Sequence, residues 1–342
     1  MQIVETKELN PILSQYSFEI DKVQLVADKV NRSVWKIYTN DGIKYLKKIQ
    51  YPLEKIQFLV DAIKHLQSNH FPVPIIHTTN NQVPYCIIGD DTYLLTDQVI
   101  GSKPNLDSIS DFRRVTTSLA KFHLASRGVI PKPQWAFVNS LGNWSEFFRE
   151  KYDLLNSIYQ ESDTKTTSTL DKLFVRKLPK FINNLTKLQQ QLLKSEYHLW
   201  TKDIEKVGGL CHCDFSPSNL IIHPSGKVYI IDFDTLSIDL PAKDFRILLY
   251  WTLIKKGSFD KNEMMEFLEL YQQHNPLTPQ QWEIIKIYLL YPYMLIYAIE
   301  NCSRRQWNES VYLSRVVKGI ETDQEMLRLI PFIDSFIKNT FH

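Results

Sequence analysis

Between residues 34 and 49 the chain reads VWKIYTNDGIKYLKKI, two alternating runs on either side of Asn40-Asp41-Gly42. Asn, Asp and Gly tolerate the positive φ angles of a tight turn, so the pattern predicts a β-hairpin. LEKIQFLVDAIKHLQ (53–67) follows, with Ile56, Leu59, Val60, Ile63 and Leu66 at helical spacing. PVPII, YCII and TYLLTDQVI add three short apolar runs, the last two set apart by Gly89-Asp90-Asp91. Residues 1–100 are therefore expected to form a small α+β lobe on an antiparallel sheet.

Gly101-Ser102-Lys103-Pro104 marks the expected lobe boundary. Over 101–342 the helical period dominates. DFRRVTTSLAKFHLASRG (111–128) opens on an Asp and stops at a Gly, and NWSEFFREKYDLLNSIY (143–159) is amphipathic. ESDTKTTSTLDK (161–172) reads as a polar connector, with a further helix near 172–196. Residues 210–234, LCHCDFSPSNLIIHPSGKVYIIDFD, interrupt the helices with a short β unit, after which DFRILLYWTLI and KNEMMEFLELYQQ return to helix. IIKIYLLYPYMLIYAI (284–299) is the most apolar late stretch, but it carries a lysine and a proline. It is also shorter than the ~20 residues of a comfortable span, which predicts a buried helix pair and no membrane anchor.

Composition narrows the partners. The 342 residues are 44% hydrophobic and 12% aromatic, enough for a large core in two lobes. Lys and Arg number 40 against 38 Asp and Glu, a net charge of +2, and no basic run points to nucleic acid or to a membrane surface. MQIVETKELNPIL lacks the charged-then-apolar pattern of a signal peptide. Four cysteines (Cys86, Cys211, Cys213, Cys302) in so long a chain make no disulfide framework. A soluble protein of a reducing cytoplasm is expected.

The chemistry concentrates in 210–234. His212-Cys213-Asp214 precedes Asn219 by a fixed interval, and a strand, a turn and a second strand then lead to Asp232-Phe233-Asp234. Pairing His223 with Val228 across Pro224-Ser225-Gly226-Lys227 places Asn219 opposite Asp232. An amide oxygen and a carboxylate side by side suit capture of Mg²⁺. Asp214 is positioned to accept the proton of an attacking hydroxyl. This is the logic of kinase phosphoryl transfer, with a catalytic-loop Asp, a metal-binding Asn and a metal-binding Asp after the next strand. Cys211-His212-Cys213 is too tightly spaced for a zinc pair, and alternation gives its cysteines one face and His212 the other. Small buried cysteines beside a structural histidine are expected there.

A kinase also needs a lysine on a strand of the small lobe. In IKYLKKI (43–49), Lys47 shares a face with Ile43, Tyr45 and Ile49, whereas Lys44 and Lys48 lie on the other and read as solvated. A lysine on an apolar face is costly unless an anion meets it, so Lys47 is the expected ATP-phosphate ligand. VADKVNRSVWKIY (26–38) occupies the place of the phosphate-covering turn but has no glycine, leaving backbone amides near Asn31, Arg32 and Ser33 as the contacts. TYLLTDQVIG (92–101) is either the hinge, with the backbone of Thr96–Gln98 bonding an adenine edge, or an ordinary strand leading into a linker.

The sequence resembles the aminoglycoside phosphotransferase and choline kinase-like superfamily, and within it the CotS-type spore-coat branch. The resemblance covers nearly the whole chain and rests on KYLKKI, YLLTDQVIG, LAKFHLASRG, LCHCDFSPSNLII, VYIIDFDTLSIDLPAKDF and YQQHNPLTPQQWEIIKIYLLYPY. It implies a bilobal protein kinase-like α+β fold, with a nucleotide-binding lobe over 1–100 and a larger helical lobe over 101–342 carrying an embedded β-hairpin. It implies Asp214 as base, Asn219 and Asp232 as Mg²⁺ ligands with Asp234 assisting, and Lys47 on the ATP phosphates; Ser33, Thr96 and Gln98 along the nucleotide remain the reading of the loop and the hinge given above. His212 either orients the catalytic loop or is a satisfied core histidine. Asp244 resembles the residue that braces that loop, and His123 is read as helix packing. The chain departs from the pattern in its glycine-free loop and in lacking a helix glutamate to pair with Lys47: Phe58 and Leu59 stand where it is sought, with Glu54 and Asp61 displaced. The expected function is an ATP- and Mg²⁺-dependent phosphotransferase for a small hydroxylated metabolite, linked to the spore coat and its other proteins. The alternative is a vestigial kinase fold with a structural role in the coat.

Overall fold

Thr39 and Gly42 pair directly across Asn40 and Asp41, with Gly42 at φ +93°, so the anticipated hairpin closes on a two-residue loop. A computed structural model describes residues 9–29, 32–165, 168–305 and 307–341. In the first part of the chain these form α1 (Asn10–Leu13), β1 (Ile20–Lys29), β2 (Arg32–Thr39), β3 (Gly42–Ile49), α2 (Leu53–Ser68), β4 (Cys86–Ile88) and β5 (Asp91–Asp97). The strands make one antiparallel sheet in the order β1-β2-β3-β5-β4. PVPII adds no strand; its prolines lack N–H donors, and only Ile76 bridges to Thr96.

Both faces of this sheet are covered. Val23, Trp35, Ile37, Leu46 and Leu95 pack with Ile12 and Leu13 of α1 on one face. Ile49 and Leu94 pack with Ile56 and Val60 of α2 on the other. This corrects the solvated reading of Lys44, which shares the Leu46 face and is only 3% exposed. Its ammonium group lies 2.7 Å from Asp97 and 3.0 Å from Asp41, and 4.9 Å from the centre of the Phe18 ring. Burial is tolerated because carboxylates meet the charge. Lys48 remains partly exposed, 2.6 Å from Asp91.

Helices follow: α3 (Ile109–Ala125), α4 (Trp144–Lys165), α5 (Thr169–Lys194) and α6 (Tyr197–Val207). The expected connector at 161–172 is largely helix. Helix α4 runs through to Lys165, and Ser168 caps α5 by accepting from the Asp171 amide while the Asp171 carboxylate accepts from the Ser168 amide. A two-stranded unit, β6 (Leu220–Ile222) and β7 (Val228–Ile230), precedes α7 (Ala242–Lys256), α8 (Lys261–His274), α9 (Pro279–Leu289), α10 (Tyr293–Arg304) and α11 (Glu309–Phe341). The apolar 284–299 stretch falls in α9 and α10, where Ile284, Ile285, Leu295 and Ile296 are buried. Among the described residues no single helix is long and apolar enough to cross a membrane, and α9 with α10 passes that test only as a bent pair.

The chain forms two compact units. The first holds the described residues up to Pro104 together with Lys132–Ala136 and Ser218–Asp234, and the second holds the rest. The β6–β7 hairpin thus belongs with the sheet. Ile222 pairs with Val228, one step from the predicted register, because His223–Lys227 form a five-residue loop in which the His223 amide bonds to the Lys227 carbonyl at 2.9 Å. Ser102 and Ile222 exchange backbone hydrogen bonds of 3.1 and 2.8 Å, anchoring the hairpin beside the segment that leaves β5. Gly101 makes that approach possible: at φ +148°, an added Cβ would lie 2.2 Å from the Ile222 carbonyl oxygen. Gly101→Ala is expected to destabilise the protein by more than about 1 kcal/mol, read as a lower midpoint in urea unfolding; an unchanged midpoint contradicts this packing.

Candidate active site

The register of the first hairpin places Val34 opposite Lys47 and Arg32 opposite Ile49, so Arg32 and Lys47 share the face covered by α2. Both reach the carboxylates that follow β7. Lys47 Nζ lies 2.9 Å from Asp232 Oδ1 and also donates to Asp234. Arg32 Nη2 lies 2.7 Å from Asp232 Oδ2, and its Nη1 lies 3.2 Å from Asp234 Oδ2. Two cations and two carboxylates therefore form one partly buried cluster. Asp232 holds its backbone at φ +64°, a left-handed conformation that Asp tolerates better than most residues and that turns the chain out of the β6–β7 ladder. Burial alone would raise the Asp232 carboxyl, but Lys47 and then Arg32 outweigh it and bring it down to about 2. Nearby, Lys55 sits 3.7 Å from the centre of the Tyr51 ring, its ammonium lowered by burial.

Arg32 is the residue that sequence reasoning missed as a side chain. A signal existed: a two-residue turn at Asn40-Asp41 fixes the pairing, and that pairing puts Arg32 on the Lys47 face. The two displaced acids lie elsewhere: Glu54 is exposed and Asp61 reaches Lys132 at 3.4 Å. Asp232 and Asp234 stand beside Lys47 in place of a helix glutamate.

Other expected contacts shift. Asn219 is buried, but its carbonyl accepts from the Ile231 amide at 2.9 Å, so it lies opposite Ile231 and not Asp232. The one-residue difference in register is the cause. Ser33 donates its hydroxyl to Asp28 at 2.6 Å. Thr96 stands between Tyr45 and Ile76, and the amides of Asp97 and Gln98 donate to the carbonyls of Ile75 and Ile43 at 3.1 and 2.9 Å. Those two N–H groups are thus used within the sheet and offer no donor to an adenine edge. Asn31 lies outside the described residues.

In the second unit the loop carrying Asp214 hangs on one buried carboxylate. Asp244, at the start of α7, accepts from the His212 amide at 2.7 Å and from the Cys213 amide at 2.8 Å. It also meets His123 Nε2 at 3.1 Å, while His123 Nδ1 meets the Tyr271 hydroxyl at 2.8 Å. His123 is thus a member of a polar network and more than helix packing. Thr235 ties down the other side by donating to the His212 carbonyl at 2.8 Å. Cys213 adopts φ +62°, a conformation that such a bonded frame can hold. Asp214 itself is only partly buried. His212 has 0% exposure and lies edge-on to Phe122 and Phe215, so it supports the loop from the core and touches nothing in solvent.

His123, Cys211 and Asp244 bring potential metal-binding atoms within 4.8 Å of one another. Every one is already engaged: the Cys211 thiol donates to the Leu240 carbonyl at 2.9 Å, and burial pushes its pKa well up. A thiol held protonated is a poor ligand, so the group is structural.

An aspartate on a braced loop and a lysine–aspartate cluster on a sheet are what the sequence led one to expect of a kinase-like fold, and comparison decides the branch. The model of the family described as "Spore coat putative kinase YutH" matches residues 15–330. The chain belongs to this spore-coat family. Spore coat protein S of Bacillus subtilis (strain 168) is 28% identical over 342 residues, covering 98% of this chain and 97% of that protein. An aminoglycoside phosphotransferase from Alicyclobacillus acidocaldarius superposes with a TM-score of 0.81 at 19% identity, covering 99% of this chain and 98% of that one. Spectinomycin phosphotransferase APH(9)-Ia, solved with ADP and spectinomycin, gives 0.59 at 13% identity, covering 98% of this chain and 99% of that one. Choline kinase LicA from Streptococcus pneumoniae gives 0.52 at 15% identity, covering 93% of this chain and 97% of that one. The family member thus has the bilobal kinase-like fold, with an antiparallel-sheet region and a larger, mainly helical one.

Two outcomes test these networks. Asp244→Ala leaves the His212 and Cys213 amides and His123 without their acceptor, and is expected to cost at least about 2 kcal/mol in chemical unfolding; a loss within error contradicts the brace. The folded Asp232 pKa lies below its unfolded value, so its contribution to stability is present above the unfolded pKa and is lost as pH falls through the folded one. The stability gap between wild type and Asp232→Asn should therefore hold constant above about pH 5 and shrink between about pH 4 and 2; a gap unchanged at pH 2 contradicts the ion cluster.

Proposed function

We propose that this spore-coat family member is an ATP- and Mg²⁺-dependent phosphotransferase acting on a small hydroxylated metabolite. The observation that carries the reading is the cluster of Lys47 and Arg32 with Asp232 and Asp234. Two cations and two carboxylates are the complementary charges of a metal–triphosphate: the cations suit phosphate oxygens and the carboxylates suit the metal. The donor set fits Mg²⁺, because Asp232, Asp234 and the Asn219 amide offer hard oxygens. Asp234 Oδ2 is buried and meets Arg32 Nη1 at 3.2 Å without an aligned hydrogen bond, so an ion could take that position on exchange with Arg32. Asp232, Asp234 and Asn219 would hold Mg²⁺, which would supply positive charge against the phosphates. Lys47 and Arg32 would hold the phosphates in place. Asp214 would take the proton of the acceptor hydroxyl as its oxygen bonds to the γ-phosphorus and the bond to ADP breaks. The ADP bound by the spectinomycin phosphotransferase neighbour supports the nucleotide part of the reading.

A second reading rests on a specific feature. Arg32 occupies the place of a glycine-lined loop and already neutralises both carboxylates, as a retired site serving coat assembly would allow. Nucleotide binding separates the two. Under the transferase reading, millimolar MgATP raises the melting temperature, and a screen of hydroxylated acceptors finds one that is phosphorylated. Asp214→Asn then keeps the nucleotide-induced shift and lowers transfer about 10²–10⁴-fold. No shift at millimolar MgATP sinks the transferase reading and leaves the vestigial one.

A further inference from the structure

A cavity of about 260 Å³ lies in the helical unit, walled by the rings of Phe147, Tyr288, Tyr291, Tyr293 and Tyr297. Cys213, the residue before Asp214, also lines it, so the cavity adjoins the base-bearing loop. Its charged lining is Lys151, Lys243, Arg246 and Glu300, three cations against one carboxylate. Glu300 is committed to Lys151 at 2.6 Å. Lys243 is held by the buried Asp239 at 2.5 Å. That leaves Arg246.

Arg246 is 7% exposed and makes no ion pair among the described residues. Its guanidinium carbon lies 4.1 Å from the ring centre of Tyr293, 4.7 Å from that of Tyr288 and 5.8 Å from that of Tyr291. Aromatic faces attract the cation, but they supply no lone pairs in the guanidinium plane. Nε and Nη1 accordingly have no hydrogen-bond partner among the described residues. Asp323, a further carboxylate near these rings, is taken by the Tyr250 hydroxyl at 2.5 Å and by the amides of Met294 and Leu295 at 3.1 and 2.9 Å. A buried guanidinium caged by rings, with in-plane donors unused, is costly unless a ligand brings the acceptor.

We propose that this cavity binds the acceptor substrate, and that the acceptor is a small hydroxylated ring carrying an oxyanion, a carboxylate or a phosphate, recognised by Arg246. The proposal rests on the transferase reading for the word acceptor; the anion site itself does not. The tyrosine walls match the faces of a single sugar-like ring, and the volume lies just below the ~300 Å³ at which sites for drug-sized ligands begin. An arginine fork suits either oxyanion. A cationic acceptor would face the unpaired positive charge of Arg246.

Titration calorimetry of the full chain with D-glucuronate, D-glucose 6-phosphate, D-glucose and D-glucosamine at fixed ionic strength tests this. At least one of the two anions is expected to bind ten or more times tighter than glucose, and which one does so identifies the oxyanion. Arg246→Met, close in length but uncharged, should erase that preference. Lys151→Met provides a second variant nearer the surface: it exposes the cavity to an unpaired Glu300, and should weaken the anion severalfold while leaving glucose unaffected. Neither anion binding more tightly than glucose, glucosamine binding tightest, or a preference that survives both substitutions would overturn the proposal. MgADP-induced stabilisation measured on the same samples reports on the transferase reading separately. Nucleotide binding without an anion preference removes this inference alone; an anion preference without nucleotide binding removes the transferase reading and leaves the anion site.

Discussion

The contact between Lys47 and the aspartates after β7 is the constraint around which the sheet-containing unit is arranged. It requires a lysine on the α2 face of β3 and a hairpin that delivers Asp232 and Asp234 to that face. A lysine there without an anion would pay the desolvation cost of a buried charge, and two adjacent carboxylates without cations would repel each other. Arg32 completes the balance with a planar fork that reaches both carboxylates. With no helix glutamate beside it among the described residues, the lysine is held by Asp232 and Asp234 instead. Binding of a metal–nucleotide would be an exchange of ionic partners, with each charge passing from one counter-ion to another.

Loop geometry in the helical unit follows a parallel logic with hydrogen bonds in place of ion pairs. Backbone amides at His212 and Cys213 would be orphaned by the sharp turn at Cys213, and Asp244 satisfies both from beneath. Its own negative charge is met by His123, which Tyr271 fixes in turn. Such a chain of buried partners is rigid because each member loses its partner if another moves. Asp214 emerges from this frame with its backbone set, and the tyrosine-walled cavity lies against the same loop.

Much of this was legible. Period-2 alternation around a two-residue turn located β2 and β3 and set Lys47 apart from Leu46. Helical spacing found α2, α3 and the buried pair α9–α10. The interval between Asp214 and Asn219, with Asp232 after the next strand, drew attention to the loop that Asp244 braces and to the hairpin that delivers Asp232 to Lys47. Where the reading failed, a specific quantity was hidden. Lys44 looked solvated because alternation separates two faces without saying that both are covered. The β6–β7 register slipped by one because a five-residue and a four-residue loop differ in a single hydrogen bond, between His223 and Lys227. The connector at 161–172 was low in hydrophobicity, yet a capping box at Ser168 and Asp171 sufficed to start a helix there.

The sequence by itself determined the local elements, the faces of the strands and the spacing of the candidate site residues, because these depend on near neighbours and on short, fixed periods. Only the tertiary structure decided which charges meet. Arg32 and Asp232 are separated by two hundred positions, and Arg246 stands in DFRILLYW as one polar letter in an apolar helix. Whether such a side chain is paired, caged or left with donors to spare depends on strands and helices far away in the chain, and no periodicity encodes that.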